Sequence, residues 1–312
     1  MQKRKLILLC SCALLLLVCI AQAITKNKNN VKLYTVKEDL DSVCLEANGT
    51  SVWLVKNGDK WLAGRAENDA KYETTQSAID SLLGAVKSVK VLDKVGNASS
   101  EASQIRYDLT DAKKITVTAF AGGKQVRKIT VGKSSATGSQ GYIMLDNGSD
   151  VFLASGNLSN TFGKTLDDLR SRSVWTLDKN MIGGVTIRKA DGTEWKLSRT
   201  GQSENIEWKL DGHGIVTGEV DSQKAENWFA EFANLSASSW YDDSASPDGK
   251  YLLTCEVEAG GKTVAIDLFQ TKEGNDDEAA EYCASSTESP YTFALASYSA
   301  NKFLKNPDEL LK

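Results

Sequence analysis

Ala121-Gly122-Gly123-Lys124 and Ala259-Gly260-Gly261-Lys262 are one tetrapeptide written twice. Around it Ile115, Val117, Ala119 and Val126 match Leu253, Cys255, Val257 and Val264 in order and spacing. Two adjacent glycines between alternating apolar residues mark a hairpin turn, since both accept positive φ at no steric cost. A hairpin that recurs with its flanks points to an internal repeat, in which each copy is one folding unit.

The correspondence runs outward from there. Val43, Leu45, Gly49, Thr50 and Leu54 match Val185, Ile187, Gly192, Thr193 and Leu197, with one residue inserted in the second turn. Trp61 answers Trp208. Ile79, Leu82, Leu83, Val86 and Val89 answer Ala225, Trp228, Phe229, Phe232 and Leu235 without a gap. Tyr142, Leu153, Phe162 and Leu169 fall against Tyr282, Phe293, Phe303 and Leu310.

Within each copy the apolar period is two, except in one segment. Asn48-Gly49 and Asn57-Gly58 predict tight turns in the first copy, Asp191-Gly192 and Asp211-Gly212 in the second. Ile79, Leu82, Leu83 and Val86 then fall at i, i+3, i+4 and i+7, the stripe of an amphipathic helix, with Thr75 and Asp221 as the two N-caps. Asp146-Asn147-Gly148 predicts another turn, and Thr165 to Arg170 a short closing helix matched by Pro307 to Leu311. The expected fold class is α+β: two tandem homologous units, each a mostly antiparallel sheet with one packed amphipathic helix. The boundaries read as a leader at 1–25, a polar spacer at 26–30, repeat one at 31–173 and repeat two at 174–312.

The leader sets the compartment. Lys3, Arg4 and Lys5 precede an apolar run from Leu6 to Ala21, and Ala21 and Ala23 are small residues placed as at a signal-peptidase site. The run to Ile24 also approaches the length of a membrane span. Cleaved signal and retained anchor both remain open, and in either case the body is exported. Lipidation at Cys19 is the weaker reading, because bulky Val18 precedes it. The whole chain carries a net charge of −4, and removing the three leader cations leaves the body more acidic still. No basic cluster stands ready to neutralise phosphates, which excludes a nucleic-acid partner. Cys44, Cys255 and Cys283 remain after the leader; buried thiols are expected, with a Cys255–Cys283 disulfide as the alternative.

A search for chemistry returns no catalytic residue, no metal site and no cofactor motif. His213 is the sole histidine, in a predicted turn without ligand partners at metal spacing. Gly132-Lys133-Ser134, Gly163-Lys164-Thr165 and Gly261-Lys262-Thr263 lack the upstream glycine of a phosphate loop, having Arg127, Leu158 and Glu256 there. The acidic run Asp276, Asp277, Glu278 and Glu281 lacks calcium-loop alternation and reads as a solvated loop. Trp61, Trp208 and Trp228 occupy core positions, whereas Trp53, Trp195 and Trp240 are free to be displayed on the surface.

The leader, Val31-Lys32-Leu33-Tyr34 ahead of Val43-Cys44-Leu45-Glu46, Trp53-Leu54, Gly58 to Trp61, the helix around Leu82-Leu83, and Ile129-Thr130-Val131-Gly132 before Gly141-Tyr142 and Val151-Phe152-Leu153 together carry a resemblance. The chain resembles the bacterial family called domain of unknown function 4340, the second copy more loosely, with Leu268-Phe269 where the first has Val131-Gly132. That resemblance implies an N-terminal membrane anchor, an extracytoplasmic body and a gene neighbourhood of gliding-auxiliary-type ABC transporters. It implies no catalytic residues. The expected function is a non-enzymatic envelope protein, an accessory or binding component of an ABC-type transport or surface-assembly system. Two other readings stay open: an envelope hydrolase acting on glycan or peptide, and a solute-binding protein with a pocket between the repeats.

Overall fold

The computed structural model describes residues 15–18, 31–201, 206–213, 215, 218–275 and 277–312. Two compact units divide the chain, the first ending at Ser171 and the second beginning at Arg172. The leader residues Lys3, Arg4, Lys5, Ala21 and Ala23 lie outside the described residues. No helix among the described residues is long and apolar enough to cross a membrane.

The first unit runs β1 (Lys32–Thr35), β2 (Ser42–Ala47), β3 (Thr50–Asn57), β4 (Lys60–Gly64), β5 (Tyr72–Glu73), α1 (Gln76–Lys87), β6 (Ser88–Asn97), α2 (Glu101–Tyr107), β7 (Ile115–Ala121), β8 (Lys124–Ser134), β9 (Gln140–Leu145), β10 (Asp150–Ser155), α3 (Leu158–Phe162) and α4 (Leu166–Leu169). Its ten strands make one antiparallel sheet in the order β1-β6-β10-β9-β8-β7-β2-β3-β4-β5. Hairpins form where the turn residues predict them. Asn48 and Gly49 both have positive φ, at 51° and 74°, and so do Gly122 and Gly123, at 59° and 70°.

The second unit runs β11 (Ser173–Thr176), β12 (Ile182–Lys189), β13 (Glu194–Thr200), β14 (Glu207–His213), α5 (Ser222–Glu231), β15 (Asn234–Ser236), β16 (Ser239–Trp240), β17 (Lys250–Ala259), β18 (Lys262–Lys272), β19 (Glu281–Ser286), β20 (Ser289–Leu295), α6 (Ser297–Leu304) and a closing 3-10 turn (Pro307–Leu310). Its main sheet is ordered β14-β13-β12-β17-β18-β19-β20-β16, beside a two-stranded β11-β15 pair. In the first sheet, β4-β3-β2-β7-β8-β9-β10-β6 is the same order with ten subtracted from each number. The mostly antiparallel α+β architecture is therefore as expected, and it recurs down to individual pairs. Val43 faces Leu54 and Ala119, while Val185 faces Leu197 and Val257. Leu45 faces Val117, and Ile187 faces Cys255.

The inner face of the first sheet is covered by α1, with Leu158 and Phe162 of α3 in the same core, and that of the second by α5, with Ala300 and Phe303 of α6. In α1 the buried residues are Ile79, Leu82 and Val86, and in α5 they are Ala225, Trp228 and Phe229. The second core is built from larger side chains. Trp195 stacks on Trp228 with centroids 5.1 Å apart, and Phe232 meets Trp228 and Phe303 edge-on at 4.9 and 5.6 Å. Aromatic pairs in such geometries add stabilisation beyond area burial. Lys302, only 8% exposed, ties α6 to the end of α5: its Nζ donates to the carbonyls of Glu231 (2.7 Å) and Asn234 (3.1 Å), over the rings of Phe232 and Phe303. In return the Trp228 indole N–H donates to the Lys302 carbonyl at 2.9 Å.

Several expectations need correction. Asp211-Gly212 is not a turn; both residues lie inside β14, opposite Lys196 and Trp195. A glycine is required there because a Cβ would meet the Glu194 carbonyl at 2.6 Å and the Trp195 Cβ at 2.7 Å. Thr75 sits at the N-cap of α1 but makes no capping hydrogen bond, whereas Asp221 accepts from the amides of Gln223 and Lys224. The helix α2, absent from the sequence reading, lies on the outer face of the first sheet, where Tyr107 and Leu109 pack on Val151, Tyr142 and Met144. Finally, β8 carries one extra residue, with a register shift at Ala119/Phe120, which sets Arg127 opposite Ala119 where Val264 stands opposite Val257.

Phe232→Ala is expected to cost about 3–5 kcal/mol, as large-to-small changes in a fully buried aromatic cluster do. Denaturant titration with residue-resolved hydrogen exchange checks this. Protection should fall first in β17 and β18; a loss below about 1 kcal/mol would contradict the packing described.

Candidate functional site

With inner faces committed to packing, chemistry must be sought on the outer faces and at the strand ends. In the first unit, Glu46 of β2 lies opposite Ser51 of β3 and Thr116 of β7, and Lys128 of β8 lies one row along, opposite Thr118. These residues, with Asn48, Gly49 and Thr50 of the hairpin and Asp111 and Lys114 of the following loop, line an open hollow of about 340 Å³. Lys114 pairs with Asp111. The hollow offers carboxylates, ammonium groups and hydroxyls on a flat β floor. That inventory can hold a small polar molecule by hydrogen bonds.

The outer face of the second unit is a ladder of ion pairs. Arg188 grips Glu256 through both terminal nitrogens, at 2.6 and 3.1 Å, and reaches Glu194 at 3.2 Å through Nε. The Arg188 hydrogen bonds hold the Glu256 carboxyl below its ordinary pKa and raise that of the guanidinium. Beside them Lys196 meets Glu258 at 2.7 Å, directly over Gly184, where a Cβ would meet Glu258 Oε2 at 2.8 Å and Lys196 Cε at 2.9 Å. Such half-exposed pairs fix register more than they stabilise.

His213 ends β14, exposed and opposite Glu194, beside a shallow hollow of about 200 Å³ that also borders Trp195 and Asp211. It stands on a strand, not in a turn. Among the described residues no three His, Cys, Asp or Glu side chains converge as a metal ion requires. The three Gly-Lys-Ser/Thr tripeptides have packing roles: a Cβ on Gly132 would meet the Tyr107 carbonyl at 2.1 Å, Gly163 closes α3, and Gly261 is a hairpin residue at φ 82°. In the acidic run, Asp276 lies outside the described residues, while Glu278 and Glu281 both approach Lys272. Of the three undetermined tryptophans, Trp195 is wholly buried. Trp240 packs on Tyr291 and Phe293, and Trp53 is half-exposed and stacked on Phe120 at 5.8 Å.

Cys44, Cys255 and Cys283 are buried free thiols; no disulfide joins Cys255 to Cys283. Burial pushes the Cys44 thiol up to about 12, with Glu46 and Glu67 adding to the effect, and burial likewise raises Cys255 and Cys283. Since the thiolate is the reactive form, these cysteines are inert in the folded chain. A thiol reagent at pH 7.5 followed by mass-spectrometric mapping should leave all three unmodified until denaturant is added. Rapid native modification of any of them would contradict the burial.

Stability in alkali follows from the same groups. Cys255 keeps its proton in the folded chain where an unfolded thiol, of pKa about 8.5, has lost it. Its contribution is therefore complete below about pH 8.5 and declines above it. Lys302 is opposite in sign: burial lowers it to about 8, so its charge is penalised below that pH, and the penalty is relieved between about 8 and 10.4. Urea midpoints between pH 8 and 10 should thus fall less steeply for Cys255→Ala than for the parent, and more steeply for Lys302→Met. Parallel slopes in all three would contradict these assignments.

A family model described as Domain of unknown function (DUF4340) matches residues 61–255, more than half of the chain. No curated protein and no solved structure matches it.

Proposed function

We propose, from the premise that this chain belongs to the family described as Domain of unknown function (DUF4340), that it is a membrane-anchored, extracytoplasmic envelope protein. It serves as a non-enzymatic accessory or binding component of an ABC-type transport or surface-assembly system. The transporter association comes from the family resemblance. The anchoring is supported by one structural observation. Leu15, Leu16 and Leu17 are helical and more than 60% exposed, with Val18 at 45%, so four consecutive apolar side chains are open to their surroundings. A helix that is apolar all round belongs in an apolar medium, and the sequence before it supplies Lys3, Arg4 and Lys5 for the cytoplasmic side.

A tandem duplication is part of the same proposal. The family match begins at Trp61 and ends at Cys255. The first copy's counterpart of Cys255 is Val117, and the second copy's counterpart of Trp61 is Trp208. On that reading the match contains β4 through β7 of one copy and the same stretch again in the other, so the doubled body is a property of the family.

The full chain, extracted in mild detergent from its native membrane through an affinity handle at the C-terminus, is expected to bring down an ABC-type permease or ATPase subunit. Recovery of the chain alone, from membranes in which such a transporter is expressed, would contradict the reading.

A further inference from the structure

A strand at the end of a sheet presents unpaired amides and carbonyls to any chain that can lie beside it. Three of the four ends of the two main sheets are short: β1 has four residues, β5 two and β16 two. The fourth is β14, with seven residues, no proline and unbroken register against β13 from Glu194–His213 to Thr200–Glu207. Its counterpart in the first unit, β4, is covered by β5 through Leu62 and Ala63. Among the described residues no strand covers β14. After His213 the chain turns to the core side: Ile215 packs there beside Gly212, Gly218 lies against Leu311, and Val220 bridges Leu311.

The side chains of β14 are self-complementary. Glu207, Lys209, Asp211 and His213 are exposed on the outer face, where Asp211 lies opposite Lys196 and His213 opposite Glu194 of β13. Trp208 and Leu210 point to the core side and are half-buried. Two copies of one strand can pair antiparallel about a two-fold axis, and residues set opposite one another then share a face. The registers that keep most of β14 paired are centred on Lys209, Leu210 or Asp211. The first sets Lys209 against its own copy and Glu207 against Asp211; the last sets Asp211 against its own copy. Centred on Leu210, each Lys209 faces the second copy's Asp211 and each Glu207 its His213. Each Trp208 then faces Gly212, which has no side chain to obstruct the indole. Like charges directly opposite destabilise a strand pair and unlike charges support it, so charge selects the Leu210 register. Lys209 and Asp211 already pair at 2.9 Å on their own strand while remaining 74% and 53% exposed, so a second such pair can join them.

We propose that the second unit binds a second copy of this chain by antiparallel pairing of β14 with β14, centred on Leu210. The two eight-stranded sheets then become one continuous sheet. The inference rests on the second unit alone and not on the anchored or transport reading above.

Cross-linking tests the register in the full chain, with Cys10, Cys12 and Cys19 changed to Ser and enough mild detergent that chance sharing of a micelle is rare. Single cysteines are placed by Leu210→Cys, Lys209→Cys, Asp211→Cys and, in the β3–β4 turn as the reference for random collision, Asp59→Cys. On the two-fold axis a residue faces itself with Cα atoms about 4.5–5.5 Å apart, within disulfide reach. Diagonal neighbours stand about 7–8 Å apart, beyond it. Mild oxidation is expected to give a covalent dimer through Leu210→Cys and not through the other three. Linking in preference through position 209 or 211 would overturn the register, and a yield at 210 no higher than at 59 would overturn the pairing. Charge exchange tests recognition with Leu210 intact, in differently tagged full-length Lys209→Asp and Asp211→Lys variants. Each alone is expected to self-associate about tenfold more weakly than the parent, because both symmetry-related pairs become repulsive. Mixed, they are expected to co-purify, since each new carboxylate faces a new ammonium group. A mixture that associates no better than either variant alone would overturn charge selection.

Discussion

In both units the central strand pairs, β2 with β7 and β12 with β17, must hold one register. A slip of one residue would turn Val43, Leu45, Val117 and Ala119 from the helix-covered face to the solvent face, because side chains alternate along a strand. The same slip in the second unit would expel Val185, Ile187, Cys255 and Val257. Everything else is arranged around these rows. The hairpins at Asn48-Gly49 and Gly122-Gly123 fix where the strands reverse, and α1 has only one apolar stripe to lay across them.

Within that shared frame the units diverge in how they fill space. The second places Trp195 where the first has Val52, and Trp228, Phe229 and Phe232 where the first has Leu82, Leu83 and Val86. It then ties its two helices together through Lys302. The first instead carries the extra residue in β8 that brings Arg127 into an inner row, next to Asp146 at 3.6 Å. It also covers part of its outer face with α2, while the second unit dresses that face with Arg188, Glu256, Lys196 and Glu258. Equivalent backbones thus present different outer surfaces, and surfaces are where partners are distinguished.

Much of this was legible in the chain because its signals are local. Asn-Gly and Gly-Gly turns, a 3.6-residue stripe and an Asp cap each act within a few residues, and each predicted what forms. The misreadings come from tertiary context and, for one element, from shortness. Asp211-Gly212 carries a turn signature, yet Gly212 is there so that the Glu194 carbonyl and Trp195 can approach β14. The seven-residue α2 is too short to show a helical period. Trp195 looks free in sequence because only the stacked Trp228, 33 positions on, explains its burial. The hollow around Glu46, Thr116 and Lys128 was invisible for the same reason: three strands distant in sequence build it. No motif search finds a surface made by register alone.

The repeated register is the central claim, and cross-strand NMR contacts in the deuterated chain test it most directly. The account predicts inter-strand NOEs joining Val43 to Ala119 and Leu45 to Val117, and equivalent ones joining Val185 to Val257 and Ile187 to Cys255. Contacts of the first set without the second, or the second displaced by a residue, would contradict it.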